Sequence, residues 1–420
     1  MKKKVLIVVL LSIFFGLVSM GCQRQEAFDG VTLRFHSWRT EDVAMYAELI
    51  SRFERDNPGI RVIFQPFRTE EYQTILATNF QAGTPGDVIH LRAYGNLEQF
   101  AAPGFLLPLT VEDIPELSLF SATSLGGSTS ISTGRIYGVP YASQSLVIFY
   151  NRDIYQRLGL RVPETWDEYI ANLEAIAAAG ITPIGNGTLA GWAAEVMWGT
   201  IAPNAYGGNT FWNQIQAGET NFLDPRFIAS VERFQSLLRF MPSGFVGLDY
   251  VGSQMMFINE MAAHFHGGIW EAAYFEAQNP DLNFGIFVAP PNVRGGPMYI
   301  SSYMDGSFGI AATTPHRAEA IRFLRFLASR ETQQFISDQL GIMTEHPEVR
   351  FTNRFLQVVS QPNLIPTPYV FLVGFRYEQP SGSVLMQTGL QGLAAGTMTP
   401  LEVAENVQRG IEIYFAPFQR

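Results

Sequence analysis

An α/β fold of at least two domains is what this sequence predicts. The chain has 420 residues, 47% of them apolar, enough to bury more than one core. Its early part sets a strand pattern, a helix pattern and a second strand pattern in succession, which is the signature of a β-α-β unit. No internal repeat or low-complexity tract interrupts the alternation that follows.

In the first strand, Val31, Leu33 and Phe35 alternate with Thr32 and Arg34, and the strand ends at His36-Ser37-Trp38. A helix follows from near Thr40, with Glu41 and Asp42 suited to its positive first turn. Val43, Tyr46, Leu49, Ile50 and Phe53 form its apolar face, and Asp56-Asn57-Pro58-Gly59 stops it. Ile60 to Phe64 is the second strand and closes the unit. Glu70 to Gln81 reads as a helix, and Gly83 to Ile89 as a turn into a third strand. Ser121 to Gly134, rich in Ser, Thr and Gly, reads as surface loop with a short helix.

The middle opens on a turn-prone Gly138-Val139-Pro140, followed by an apolar strand from Leu146 to Tyr150. Asn151-Arg152-Asp153 opens a short helix. Thr165 to Glu168 has the spacing of a capping box, and Trp166 there packs the start of a helix whose buried face is Tyr169, Leu173, Ile176 and Ala177. Ala179-Gly180 ends that helix. Ile181 to Gly191 is strand or loop, Ala193 to Ile201 and Phe227 to Phe240 are helical, and Phe257 to Ala263 closes another helix. Ser307 to Ala311 is a strand. Thr314-Pro315 sets an N-cap with proline in the first turn, and Ile321, Leu324 and Ala328 share the face of the helix behind it. Its partner runs from Glu331 to Leu340. Thr399-Pro400-Leu401-Glu402 is a second capping box, and Val403, Val407, Ile411 and Tyr414 line the last helix.

The N-terminus reads as an export signal. Lys2, Lys3 and Lys4 precede an apolar run from Val5 to Val18. Ser19-Met20-Gly21-Cys22 then fits a relaxed lipobox, with Ser19 where leucine is usual. The expectation is a signal peptide over residues 1–21, lipid on Cys22 and a tether over 22–30. Cys22 is the single cysteine, so a lipidated Cys22 leaves no thiol for a disulfide, a nucleophile or a metal site. Cleavage removes three lysines and moves the formal charge from −10 to −13. That sign argues against a general nucleic-acid binder, and acylation rather than a basic patch would hold the chain at the cell membrane, on its periplasmic or extracytoplasmic side.

Enzyme motifs are absent from the sequence: there is no Gly-x-Ser-x-Gly, no Walker loop and no His-Glu-x-x-His. Gly185-Asn186-Gly187 with Gly191 misses the dinucleotide fingerprint by one residue. His264 and His266 are spaced for one face of a strand, where a structural role outweighs a metal site. No cofactor and no metal is expected. Trp38, Trp192 and Trp270 each follow a strand or lie in a glycine-rich turn, where cleft residues belong; flat aromatic walls with a few polar partners suit a sugar ring. The competing reading of each is a tryptophan buried in its own domain.

The series from Ile136 to Tyr169, with Tyr137-Gly138-Val139-Pro140, Tyr150-Asn151-Arg152-Asp153, Leu158-Gly159-Leu160 and Thr165-Trp166-Asp167-Glu168, resembles the extracellular solute-binding proteins that feed sugar ABC transporters, the maltose-binding-protein-like group. Gly83 to Ile89, Leu97 to Leu109, Phe265 to Trp270 and Phe284 to Pro291 add similar segments in the same order, the last resembling the family's strand back to the first lobe. The resemblance implies a two-lobed periplasmic-binding-protein-like fold, a hinge crossed three times near residues 142, 289 and 342, and a ligand cleft between the lobes. Residues 31–142 with 290–341 would form lobe I, and 143–289 with 342–420 lobe II. It implies a monomeric importer component, not an enzyme, that binds a mono- or oligosaccharide and delivers it to a membrane permease. By motif alignment Glu41, Arg92, Tyr94, Gln144, Gly268, Asp305 and Arg376 join the three tryptophans as ligand-binding candidates. Arg92 or Arg376 would also suit a phosphorylated ligand. Alternatives are an exported carbohydrate-active hydrolase using paired carboxylates, or an adhesion or sensor lipoprotein on the same fold.

Overall fold

The structure, a computed structural model, describes residues 28–69 and 71–419. The expected leader, Cys22 and most of the tether lie outside the described residues. Ten strands are present among them: β1 (Val31–Ser37), β2 (Ile60–Pro66), β3 (Val88–Arg92), β4 (Val139–Asn151), β5 (Thr182–Ile184), β6 (Ala262–Gly268), β7 (Phe284–Phe287), β8 (Met298–Ile310), β9 (Met343–Thr344) and β10 (Leu364–Pro368). Their lateral order is β2-β1-β3-β8-β4-β6-β5, with β10 on β8 and with β7 and β9 on β4.

Two long strands build the waist. β4 pairs antiparallel with β8 along its first half, from Val139↔Phe308 to Ser145↔Ser302. Its second half turns to β6, from Leu146↔Gly268, and to β7, from Ile148↔Phe287. β8 in turn pairs with β10 at its start and with β3 at its end. β9 lies against β4 at Ala142 and Ser143. The first lobe is thus the parallel β1–β2–β3 set, extended antiparallel by β8, and the second is the sheet of β4's far half with β5, β6 and β7. Three crossing segments, β4, β8 and β9, lie side by side between them.

Separate cores fill the lobes. Phe35, Tyr46, Phe53, Phe308 and Phe323 anchor one in the first lobe. Trp198, Phe211, Phe227, Phe371 and Val407 anchor a helical core in the second, and Phe149, Phe257, Phe265, Phe275 and Phe284 another on the opposite face of its sheet. A small cluster of Ala93, Tyr94 and Met304, with Tyr303, Leu372, Val373 and Tyr377 against it, joins the lobes.

Several local expectations shift. The first helix starts at Val43, not near Thr40, and Val43 is exposed, its place on the buried face taken by Met45. Of the Gly138-Val139-Pro140 segment only Gly138 is a bend, and Val139 and Pro140 already belong to β4. The helix expected to close over Phe257 to Ala263 spans Tyr250–Ile258, and Ala262 already belongs to β6. Phe265 to Gly268 is the rest of that strand, buried throughout, so Trp270 follows a strand rather than lying in a glycine-rich turn. Phe284–Phe287 stays in the second sheet on β4, and β8 carries the chain to β3. Thr399 makes the full capping box with Glu402. Thr165 makes half of one: its hydroxyl accepts from the Glu168 N–H, but the Glu168 carboxylate accepts from Glu164 instead.

Candidate functional site

The candidate site lies where β4 and β8 cross the waist. Gln144 on β4 stands opposite Tyr303 on β8, and Asp305 is two residues along the same strand, hence on the same face. The Gln144 Nε2 donates to Asp305 Oδ2 at 3.4 Å. Gln144 is 2% exposed, and its Oε1 has no hydrogen-bond partner.

Arg92 enters from the end of β3, in register with Gly306. Its guanidinium donates to the Thr69 carbonyl at 3.3 Å and lies 4.5 Å from the centroid of the Trp38 ring. Burial lowers its pKa, and Asp305 opposes that shift. Trp38 stacks on His90 with 4.0 Å between ring centroids. A Cβ on Gly306 would come within 2.7 Å of the Trp38 ring, so β8 passes directly over the indole. At 3% exposure Trp38 is a floor beneath Arg92. Tyr94 adopts φ of 58°, a backbone state costing about 1–3 kcal/mol for a residue with a side chain. Its hydroxyl accepts from the Met304 N–H at 3.1 Å. Glu41 is exposed at the surface, paired with Arg39 at 3.1 Å.

The second lobe supplies a counterpart. Arg376 Nε donates to Ser383 Oγ at 2.6 Å, and Ser383 in turn donates to Glu195 at 2.9 Å. Gln387 donates to the other Glu195 oxygen at 2.7 Å, 3.6 Å from which lies the Arg376 guanidinium. Glu195 is wholly buried; desolvation raises its pKa and Arg376 opposes the rise. Tyr369 lies beside this pair, 2% exposed, with a hydroxyl that meets no partner in hydrogen-bond geometry. Its ring is 5.6 Å from that of Tyr303, which brings the two polar groups together across the waist. Gly95 lets the lobes meet: a Cβ there would lie 2.3 Å from the Arg376 carbonyl oxygen.

Alongside runs an aromatic group. Ile269 donates its N–H to the Ser145 carbonyl at 2.9 Å, so Trp270 follows β6 immediately beside the hinge strand. Its ring lies flat over Gly268, where a Cβ would be 1.7 Å away. Trp192 packs on Tyr250 at 4.3 Å between centroids and is 40% exposed. Trp192 and Glu195 are three residues apart in the helix Gly191–Ile201, so they share a face.

Arg92, Gln144, Asp305 and Arg376 are therefore gathered by Tyr303, with Tyr94 adjoining and Trp38 behind. Gly268, Trp270 and Trp192 are gathered by Tyr250, and Glu41 stands apart. Sequence reasoning missed Glu195, Tyr303, Tyr369 and Tyr250. Glu195 had a legible signal, since it is the only charge in an otherwise apolar helix. Tyr303 did not, because β8 starts nine residues before the strand expected at Ser307.

The other candidate chemistry resolves into structure. His264 and His266 each have both ring nitrogens engaged: Tyr155 and Pro183 for the first, Tyr169 and Thr200 for the second, all at 2.8 Å. Asn186 clamps the His266 backbone through two bonds of 2.8 Å, and a Cβ on Gly187 would meet the Leu248 carbonyl oxygen at 2.2 Å. That leaves no room for a nucleotide. Among the described residues no group of three or more His, Cys, Asp or Glu is placed to hold a metal, and no helix is long and apolar enough to cross a membrane.

The family model described as bacterial extracellular solute-binding protein matches residues 37–334. The chain belongs to that family. The family consists of binding receptors rather than enzymes. Among its relatives, this solute-binding protein is 24% identical over 342 residues to the multiple sugar-binding protein of Streptococcus mutans, across 80% of either chain. It also shares its two-lobed fold with RafE. Apo RafE from Streptococcus pneumoniae superposes with a TM-score of 0.74 at 21% identity, covering 94% of this chain and 100% of that one. RafE in complex with raffinose gives 0.75 at 21%, covering 93% and 100%.

Proposed function

We propose that this solute-binding protein is the substrate-binding component of an ABC importer, taking a carbohydrate at the waist between residues 31–142 with 290–341 and residues 143–289 with 342–420. The single observation that carries this reading is a deeply buried polar atom without a partner, Gln144 Oε1, on the crossing strand β4 opposite Tyr303, where Asp305 of the first lobe lies beside it. A buried unpaired polar group costs about 1–3 kcal/mol, and a sugar hydroxyl would satisfy it. Arg92 with Asp305 and Arg376 with Glu195 balance in charge, which suits a neutral ligand. The aromatic group at Trp270 suits the C–H face of a pyranose. The relatives support the same class: one is named for multiple sugars and another is solved with raffinose. Ligand contact with both lobes stabilises the closed form over an open one, and the closed form docks on the permease. Anchoring through lipid on Cys22 and action as a monomer complete the proposal.

The test is thermal melting of the mature protein against a panel of mono- and oligosaccharides, polyols and sugar phosphates. A sugar at 100 times its dissociation constant adds about 2.7 kcal/mol of stability, a shift of several degrees. A response only to phosphates transfers recognition to Arg92 and Arg376, and silence across the panel overturns the carbohydrate reading.

A further inference from the structure

Glu271 is 1% exposed, and no Lys, Arg or His among the described residues pairs with it. Each carboxylate oxygen instead accepts from a neutral donor. Oε1 takes the Trp270 indole N–H at 2.7 Å, and Oε2 takes Gln254 Nε2 at 2.8 Å. The indole N–H is shared with the Tyr250 hydroxyl at 3.1 Å. Tyr250 and Gln254 are four residues apart in the helix Tyr250–Ile258, so they project from one face. Tyr250 carries the contact on to Trp192. One acid therefore ties the turn after β6 to that helix and sets the plane of Trp270 over Gly268.

Burial without a cation costs stability and pushes the Glu271 carboxyl pKa well above its ordinary value. Its position at the start of the helix Glu271–Gln278 offsets only part of that cost. With its N–H committed to Glu271, the Trp270 indole can offer a ligand its ring face but not its edge.

We infer that Glu271 is a positioning residue for carbohydrate recognition, its carboxylate fixing Trp270, and through Tyr250 also Trp192, as one aromatic wall that receives the apolar face of a sugar. The inference rests on the carbohydrate reading above and adds the residue that orients the wall.

The experiment compares Glu271→Leu, Glu271→Gln and Trp270→Phe, alone and with Glu271→Leu in the Trp270→Phe background. Sugar dissociation constants are read by calorimetry, with melting temperatures recorded in parallel. Glu271→Leu is expected to weaken sugar binding about tenfold, or about 1.4 kcal/mol, while its melting curve shows the variant still folded at the assay temperature. Glu271→Gln restores most of the affinity, because its carbonyl still accepts from the indole and the Gln254 amide can turn to match it. In the Trp270→Phe background, Glu271→Leu has no further effect. Wild-type affinity in Glu271→Leu, or an equal loss with and without Trp270, overturns the inference. Should no sugar bind the wild type, the carbohydrate reading falls by itself. The near-ultraviolet circular dichroism of the unliganded proteins then decides the positioning role: Glu271→Leu loses the Trp270 contribution if the acid orients that ring and keeps it if the acid does not.

Discussion

At the scale of single residues, the deep polar groups make sharply different demands on pH. Thr200 Oγ1 donates to the Met197 carbonyl, so it accepts from His266 Nδ1–H, and the His264 Nδ1–H faces the Pro183 carbonyl. Both imidazoles are thereby neutral with Nε2 accepting from a tyrosine. Burial lowers His264 to about 4 and His266 to about 3, below the ordinary value near 6.5. The unfolded chain therefore takes up these protons first. The contribution of neutral histidine is whole above about pH 6.5 and is lost as pH falls toward the folded values, by ~3 kcal/mol or more for each. Urea unfolding of wild type and His266→Gln from pH 8 to pH 4 should show the variant weaker at pH 8 and flatter below pH 6.5; parallel curves would refute it. Glu195 behaves oppositely, since burial raises its pKa and a proton relieves it. Arg376→Met should cost about 2 kcal/mol at pH 8, less than the 3–5 typical of fully buried pairs because Arg376 is partly exposed, and less again at pH 5. The same denaturation series measures both.

At the scale of elements, caps and pairing decide what the sequence could reveal. Thr399, Pro400 and Glu402 form a complete capping box at the last helix, legible because all its partners are within four residues. Thr399→Ala should cost about 1 kcal/mol, measured as a shift in the urea midpoint with an unchanged slope. The helix faces and the β1–β2 unit were legible for the same local reason. Val43, apolar yet exposed, shows the limit: periodicity locates a face but not which end residue the neighbouring sheet covers. β4 and β8 were read short because their pairing is remote. Pro140, a turn signal to the eye, lies in a strand whose register shifts between Pro140 and Ala142, a bulge that tolerates it. In the site, Arg92, Gln144 and Asp305 were reachable by motif order. Glu195, in the helix Gly191–Ile201, reaches Arg376, in the bend after the helix Val370–Gly374, only through tertiary packing, which no spacing encodes.

At the scale of the whole molecule, β4, β8 and β9 join the lobes through shared hydrogen bonds. In the proposed closure, hinge motion would bend these strands without parting them and would end where Gly95 meets the Arg376 backbone. Gly95→Leu should therefore hold the lobes apart: sugar affinity falls at least tenfold, and small-angle scattering with saturating sugar shows a larger radius of gyration than wild type. Ligand-induced compaction equal to wild type would show that Gly95 does not limit closure.

The placement of β8 also governs how the chain must be made. Val88 on β3 pairs with Ile310 on β8, 222 positions later. At about 5–20 residues per second, a ribosome needs on the order of tens of seconds to supply that partner. Throughout this interval the β1–β2–β3 sheet has an open edge, and the first lobe cannot close its core. A chain threaded out of the cell while still being finished would lose nothing by remaining unfolded until β8 appears.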